Sequence, residues 1–192
     1  MTKRSTTDSL SIETLDYGQW SLDVHRQLGG KRLPISATIE VTQRCNNHCV
    51  HCYNNRSAGD GLARAGELET HEHIRILDEY SAAGGLWLLY TGGEVFLRPD
   101  FLDIYTHAKK LGLLVSIFTN GTLISEKIAN HLAAYRPLSM EITLYGCTRE
   151  TYELVTGIDG SFDNCLRGIR LLKERNLPLK LKTMALRTNV HE

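Results

Sequence analysis

Short apolar segments alternate with longer amphipathic segments along most of the chain. Each short segment is rich in aliphatic and β-branched residues, which is typical of parallel strands that are buried on both faces. The predicted strands are Ile35–Val41, Leu86–Tyr90, Leu113–Phe118, Met140–Leu144 and Leu177–Met184. Residues 1–34 carry no strong pattern, so we interpret them as an N-terminal extension and residues 35–192 as the core domain.

Helical patterns fill the intervals between the predicted strands. Each has apolar residues at helical spacing and begins at a residue that commonly caps or opens a helix. The predicted helices begin at Thr70, Asp100, Ser125 and Ser161. This alternation predicts an α/β fold of about five βα units, wound into a curved parallel sheet with helices outside.

Composition narrows the possible environments and partners. The chain has 192 residues and equal numbers of basic and acidic residues, 22 each, so its formal net charge is zero. The chain lacks a long run of basic residues, which would have indicated binding to nucleic acid or to an anionic membrane surface. No apolar stretch approaches the ~20 residues that cross a bilayer, and the N-terminus does not resemble a signal peptide. We therefore expect a soluble, cytoplasmic protein.

A cysteine cluster follows the first predicted strand. Cys45, Cys49 and Cys52 have the spacing C-x3-C-x2-C, and they are three of five cysteines in the chain. Such crowded thiols form poor disulfide staples and more often bind metal. Three thiolates can bind three irons of a cubane iron–sulfur cluster and leave the fourth iron without a protein ligand. Clusters that only transfer electrons are held by four cysteines. Zinc, completed by His48 or His51, is the alternative.

Polar and glycine-rich loops follow the next three predicted strands. The second strand ends in Thr91-Gly92-Gly93-Glu94, the third in Thr119-Asn120-Gly121, and Thr143 lies near the end of the fourth. Glycines allow close backbone approach to a ligand, and the Glu94 carboxylate could bind an ammonium group. Ligands gather at the carboxyl ends of parallel strands, so we expect these loops to lie beside the cysteines.

Together these motifs resemble the radical S-adenosylmethionine (radical SAM) superfamily. The stretch from Ile142 to Phe162 is similar to the subgroup that carries a C-terminal SPASM domain, which includes peptide-maturing enzymes and the enzyme of pyrroloquinoline quinone synthesis. The resemblance implies a partial (β/α) barrel. It also implies a further strand–helix unit and a SPASM domain, neither of which we identify, so we expect a shortened chain or one that a partner chain completes.

The resemblance also implies two cofactors and the residues that hold them. Cys45, Cys49 and Cys52 would ligate a [4Fe-4S] cluster, whose fourth iron S-adenosylmethionine would chelate. The residues implied for binding S-adenosylmethionine are Gly92, Gly93 and Glu94 at its ammonium, Asn120 and Thr143 at its ribose or carboxylate, and Tyr53 near its adenine.

The implied reaction is reductive cleavage of S-adenosylmethionine into methionine and a 5′-deoxyadenosyl radical, which abstracts hydrogen from a substrate. By family analogy we expect a peptide or protein side chain as substrate and an external low-potential electron donor as partner. Two alternatives stay open: a truncated or split cluster-binding chain that is inactive without its partner, and a radical enzyme acting on tRNA or a small molecule.

Overall fold

The computed structural model describes residues 15–192 of the chain. Its main sheet is five-stranded and parallel throughout, with the strand order β1-β4-β5-β6-β7, and a small parallel sheet pairs β2 with β3. The strands are β1 (Ser36–Glu40), β2 (Arg44–Cys45), β3 (Arg56–Ser57), β4 (Trp87–Thr91), β5 (Leu114–Thr119), β6 (Ser139–Thr143) and β7 (Leu179–Lys182).

The helices lie between these strands in the chain. They are α1 (Tyr17–Leu28), α2 (Gly61–Ala65), α3 (Thr70–Ala82), α4 (Phe101–Lys110), α5 (Glu126–Ala134), α6 (Arg149–Thr156) and α7 (Ser161–Glu174). A 3₁₀ turn over Val95–Leu97 follows β4 directly.

The predicted α/β fold is confirmed. All five predicted strands are present, shorter than or shifted by one or two residues from their predicted bounds, and they form one parallel sheet with helical crossovers. The sequence pattern did not predict α1, α2 or α6. Helix α6 is short, but Thr148 caps it by accepting the backbone N–H of Thr151, and Tyr152 and Val155 on its inner face are fully buried.

The core lies between the central strands and the helices packed on them. Alternate residues of β4 and β5 are buried, and they form one core with the buried apolar residues of α4 and α7. The largest fully buried side chains include Tyr90, Tyr105, Tyr152, Phe101, Leu88 and Ile117. This packing fixes the strands in the sheet, and so it fixes the loops at their carboxyl ends.

The chain divides into two compact units between Leu33 and Pro34. In the first, Asp16 caps α1 by accepting the backbone N–H of Gln19, and α1 has no buried residue. The second, Pro34–Glu192, contains both sheets and the remaining helices. Within residues 15–192, no helix is both long and apolar enough to cross a membrane.

A buried arginine ties the start of α4 to the end of β1. The Arg98 guanidinium donates two hydrogen bonds to the Asp100 carboxylate, at 3.0 and 2.7 Å, and further bonds to the carbonyls of Val41 and Leu68. Asp100 also accepts a 2.7 Å hydrogen bond from the Thr70 hydroxyl at the start of α3. The hydrogen bond from Arg98, and then that from Thr70, lower the pKa of Asp100 to about 2.

Replacing this carboxylate should destabilise the fold. We expect Asp100→Asn to lower the free energy of unfolding by roughly 1.5–3 kcal/mol, because the buried Arg98 loses the charge on its hydrogen-bonded partner and keeps only the more distant Glu67, at 3.9 Å. The lowered pKa means that the stabilisation is complete above about pH 4 and is lost as the pH falls towards 2. Urea unfolding between pH 7 and 2.5 should therefore show a smaller acid loss in the variant.

Asp163→Asn is the matched control, because it removes an exposed carboxylate paired with the exposed Arg149. Exposed pairs contribute little, so we expect no measurable change. Equal destabilisation by both variants would contradict the role assigned to Asp100.

Candidate functional site

The three predicted ligand cysteines share one loop, which runs from β2 to β3. Cys45 ends β2, and the backbone N–H of Cys52 donates to the carbonyl of Cys49 at 3.0 Å. The loop rests on the end of α6, where the N–H groups of His48 and Val50 donate to backbone carbonyls at 2.8 and 2.9 Å. This anchoring fixes the backbone between the first and last cysteines.

One cavity of about 340 Å³ collects most of the predicted site residues at the carboxyl ends of the strands. Its wall includes the following predicted positions: Cys45, Cys49, Cys52, Tyr53, Gly92, Gly93, Asn120 and Thr143. Glu94 is the predicted position outside this wall. Within residues 15–192, no three His, Cys, Asp or Glu side chains converge closely enough to hold a single metal ion. All three thiols line the wall of this cavity.

The glycine pair after β4 packs directly on the backbone that leads into the cysteine loop. Gly93 donates its N–H to the carbonyl of Thr42 at 2.7 Å, and Glu94 donates its N–H to the carbonyl of Arg44 at 3.0 Å. A Cβ atom at Gly92 would lie 2.3 Å from the Thr42 oxygen, and one at Gly93 would lie 2.3 Å from the Arg44 oxygen. Only glycine fits at either position without moving the backbone.

Glu94 lies beneath the cavity wall and links two strand ends. One carboxylate oxygen accepts from the Thr119 hydroxyl at 2.7 Å and from the Phe96 N–H at 3.1 Å, and the other accepts from the Asn120 N–H at 2.8 Å. Burial raises the pKa of Glu94, and these three hydrogen bonds oppose the rise. Its predicted contact with an ammonium group stays a prediction, while its visible contacts join the loops after β4 and β5.

The buried ion pair between Arg44 and Glu67 supports the start of the cysteine loop. The Arg44 guanidinium donates to both carboxylate oxygens of Glu67, at 2.7 and 3.1 Å, and to the carbonyl of Ala58 at 2.9 Å. Glu67 also accepts from the Thr42 hydroxyl. These contacts tie the residue before Cys45 to the segment that precedes α3.

Asn120 links the loop after β5 to the first cysteine. Its amide nitrogen donates to the Asn46 side chain at 3.0 Å and lies 3.6 Å from the Cys45 sulfur. Its amide oxygen accepts from the N–H of Thr122 at 2.9 Å and from the Thr122 hydroxyl at 2.7 Å. The Asn120 amide is therefore held in one orientation beside the sulfur.

Tyr53 lies at the rim of the cavity. Its side chain is 80% exposed, and its hydroxyl donates to the Glu40 carboxylate at 2.6 Å. That hydrogen bond, with burial as the second cause, raises the pKa of Tyr53 to about 12. The predicted contact between this ring and an adenine stays a prediction.

Burial raises the pKa values of two of the three thiols. The pKa of Cys45 rises to about 11, chiefly through burial, and burial also raises the pKa of Cys49. A buried thiol keeps its proton until a metal displaces it, because only the thiolate is a ligand. Metal binding at this loop should therefore release protons.

The cavity wall also contains residues that the sequence motifs did not predict. The Asn47 amide is 4% exposed, and neither of its polar atoms has a hydrogen-bond partner in the part of the chain that the structure describes. The Lys182 ammonium lies 2.8 Å from the centroid of the Phe118 ring, and Tyr145, on the segment after β6, packs its ring on His51 of the cysteine loop. Their position near the ends of strands is the sequence feature from which they could have been predicted.

The close packing of Gly93 generates a first site prediction. We expect Gly93→Ala to lower the free energy of unfolding by roughly 1–3 kcal/mol, because the new methyl group forces the Arg44 carbonyl away. The cysteine loop should move with it, so the variant should retain less iron after anaerobic reconstitution, measured per chain.

Gly59→Ala is the matched control, since a Cβ atom there meets nothing within 4 Å and the backbone does not have positive φ. Its stability should stay within about 0.5 kcal/mol of the natural chain. A Gly93→Ala variant that keeps full stability and iron would contradict the packing argument.

The buried carboxylate generates a second site prediction. Glu94→Gln keeps the size of the side chain but replaces one acceptor oxygen with an amide nitrogen. That nitrogen is itself a donor, and it faces the donors that the oxygen accepted from. We expect the free energy of unfolding in urea to fall by about 1–3 kcal/mol, because a buried donor then faces another donor. The exposed Glu150→Gln, on the first turn of α6, should leave the unfolding curve unchanged. Identical curves for Glu94→Gln and the natural chain would refute this role.

Comparison with known proteins places this geometry in a family. The profile of the radical SAM superfamily matches residues 39–192. The AdoMet-dependent heme synthase of Methanosarcina barkeri is 34% identical over 153 residues, covering 80% of this chain and 43% of the relative. The mycofactocin maturase MftC of Mycobacterium tuberculosis is 33% identical over 162 residues, covering 84% and 40%. The PqqA peptide cyclase of Granulibacter bethesdensis is 31% identical, covering 82% and 41%.

Solved structures agree on the fold. Streptococcus suis SuiB superposes with a TM-score of 0.70 at 18% identity, covering 93% of this chain and 41% of that one. The structure of anSMEcpe with bound AdoMet gives a TM-score of 0.64 at 22% identity, covering 77% and 42%. The chain spans less than half the length of the curated relatives named above. The relatives include the SPASM-associated maturases predicted from the motifs, and the cofactors of the family are a [4Fe-4S] cluster and S-adenosylmethionine. The chain belongs to the radical SAM superfamily.

Proposed function

We propose that this chain holds a [4Fe-4S] cluster on Cys45, Cys49 and Cys52 and binds S-adenosylmethionine at the neighbouring strand ends. When bound together, these groups supply reductive cleavage of the sulfonium to methionine and a 5′-deoxyadenosyl radical that abstracts hydrogen from a substrate. The main observation that supports this proposal is that the three thiols share one cavity with Gly92, Gly93 and other groups at strand ends.

The chemistry of the wall suits these cofactors. Three thiols are the soft donors that iron–sulfur clusters take. The Asn47 amide is buried in the same wall with no partner for either polar atom among residues 15–192. An unpaired buried amide costs about 1–3 kcal/mol, so it is well placed to pair with a polar ligand.

The protein's part is to bind, orient and exclude water. Gly92 and Gly93 would face the methionine end of S-adenosylmethionine, and Glu94 would hold their loop in place from beneath. Asn120 and Thr143 would face its ribose or carboxylate, as the motifs imply. Holding the sulfonium beside the cluster makes electron transfer an oriented event within one complex.

Apolar and aromatic side chains complete the wall near the ends of β5, β6 and β7. Phe118, Tyr145 and Met184 line the cavity together with the thiols. Such a lining limits water and competing hydrogen donors near a radical. The electron would come from an external low-potential donor, and the reducing cytoplasm suits both the thiols and an oxygen-sensitive cluster.

For the substrate we propose a peptide or protein side chain. The mycofactocin maturase and the PqqA peptide cyclase support this class, since they are 33% and 31% identical to this chain. The heme synthase relative, at 34% identity, supports a small-molecule substrate as the second candidate. Residues 35–192 would act as the core domain in either case, alone or with a partner chain.

Anaerobic reconstitution with iron and sulfide tests the cofactor assignment. We expect about four irons and four sulfides per chain, as a [4Fe-4S] cluster requires. After reduction with dithionite, S-adenosylmethionine should yield 5′-deoxyadenosine, measured by chromatography. Cys49→Ala should lose the cluster and the product, because one of the three ligands is gone.

Cys147→Ala is the matched control, because this free cysteine is exposed and lies outside the cavity wall. It should keep full iron content and product. Zinc without sulfide, or product formation by Cys49→Ala, would refute the assignment. A complete cluster without cleavage would favour the split-chain alternative. Deuterium transfer into 5′-deoxyadenosine from a deuterated peptide, compared with a deuterated porphyrin, would separate the two substrate classes.

A further inference from the structure

Lys182 brings a positive charge to the wall of the cavity that contains the three thiols. It is the last residue of β7 and the one lysine or arginine among the residues that line this cavity, which include no aspartate or glutamate. Its side chain is 35% exposed, and its ammonium lies 2.8 Å from the centroid of the Phe118 ring on β5. The side chain therefore reaches from β7 across β6 to the middle strand of the sheet.

The carboxylate beside this ammonium balances only part of the local charge. Glu141 on β6 has one oxygen 3.6 Å from the Lys182 nitrogen and the other 3.9 Å from the Lys180 nitrogen. Both distances exceed the roughly 2.7–2.9 Å of a close charge-assisted hydrogen bond. Two ammonium groups share one carboxylate, so one positive charge is left without a counter-charge on this face of the sheet.

Partial burial makes that uncompensated charge unfavourable. Burial lowers the pKa of Lys182, and the Glu141 carboxylate opposes the fall. An ammonium has three N–H donors and no acceptor, so a second carboxylate could accept from it without displacing Glu141. The Phe118 ring already covers one side of the ammonium, which leaves the side towards the cavity for a ligand.

The position of the ammonium differs from that expected for S-adenosylmethionine. Its neighbours Phe118 and Glu141 each come two residues before a residue expected to face that cofactor, Asn120 and Thr143 respectively. Two residues correspond to roughly 6–7 Å along a strand, and side chains two apart share a face. The ammonium thus lies on the cavity face of the sheet, nearer to the amino ends of the strands, where a second molecule would bind.

We propose that Lys182 binds a carboxylate of the substrate, either an acidic side chain or the C-terminal carboxylate of a peptide. The inference rests on the proposed function and narrows its substrate class to molecules that carry a carboxylate. A carboxylate accepting from Lys182 would form a charge-assisted hydrogen bond in a partly buried place. Lys182 is in this sense a specificity-determining residue.

The test compares three short peptides on the full chain, reconstituted with its cluster and supplied with S-adenosylmethionine but no reductant. All three carry an N-terminal trifluoroacetyl group, so that fluorine NMR measures their dissociation constants. The first has a glutamate at its centre and a blocked C-terminus, the second has a glutamine instead, and the third is the glutamine peptide with a free C-terminal carboxylate. We expect one of the carboxylate peptides to bind about tenfold more tightly than the neutral one.

Four variants separate Lys182 from general electrostatics. Lys182→Met should reduce the preference to about one, and Lys182→Arg should keep most of it. Glu141→Gln should strengthen carboxylate binding about threefold, because the competing carboxylate is gone. Lys180→Met is the matched control, since Lys180 is also near Glu141 but is 71% exposed and lies outside the cavity wall. Its preference should stay within about twofold of the natural value.

The outcomes that would overturn the inference are distinct. One is a natural chain that binds all three peptides equally, and another is an equal loss of preference in both lysine→Met variants. A third is weaker binding of S-adenosylmethionine by Lys182→Met with the peptide preference unchanged, which would assign this lysine to the cofactor. If Lys182→Met does not fold, Glu141→Gln decides, and unchanged or weaker carboxylate binding there would refute the proposal. Iron content and 5′-deoxyadenosine formation by the natural chain test the proposed function separately.

Discussion

The site depends on the backbone contact between the glycine pair after β4 and the segment that leads into the cysteine loop. Gly93 and Glu94 donate their N–H groups to the carbonyls of Thr42 and Arg44, and no side chain separates the two backbones. β1 and β4 are neighbours in the sheet, so this contact continues their pairing past the strand ends. The place of the thiols relative to the glycine turn is therefore set by main-chain geometry, which substitutions outside the glycines change little.

Buried charged groups connect this backbone contact to the neighbouring loops. Glu94 joins the glycine turn to the loop after β5 through hydrogen bonds. The ion pair Arg44–Glu67 joins the start of the cysteine loop to the segment before α3. A buried carboxylate is stable only where its oxygens are satisfied, so each of these groups demands one particular arrangement of its neighbours. Charges at the carboxyl ends of the strands thereby specify loop positions that apolar packing alone would leave loose.

The sequence predicts the sheet well and the side-chain directions poorly. Strands such as Leu113–Phe118 are found because most of their residues are apolar, although only alternate residues of β5 are buried. Helix α6 is missed because eight residues give too few turns for a pattern to stand out. The motif around Glu94 predicts its place after a strand, but not that its carboxylate turns beneath the cavity. That direction depends on donors from Thr119 and Phe96, which only the folded chain brings together.

Tyr145 and His51 show why a cavity wall can serve chemistry and packing together. A low potential favours electron transfer to a sulfonium, yet a cluster whose potential is too low cannot be reduced by an external donor. Burial of the thiols would lower the potential of the proposed cluster, because added negative charge is poorly solvated in such a wall. The same two rings pack on each other in the cavity wall, so side chains beside the thiols also take part in the core packing.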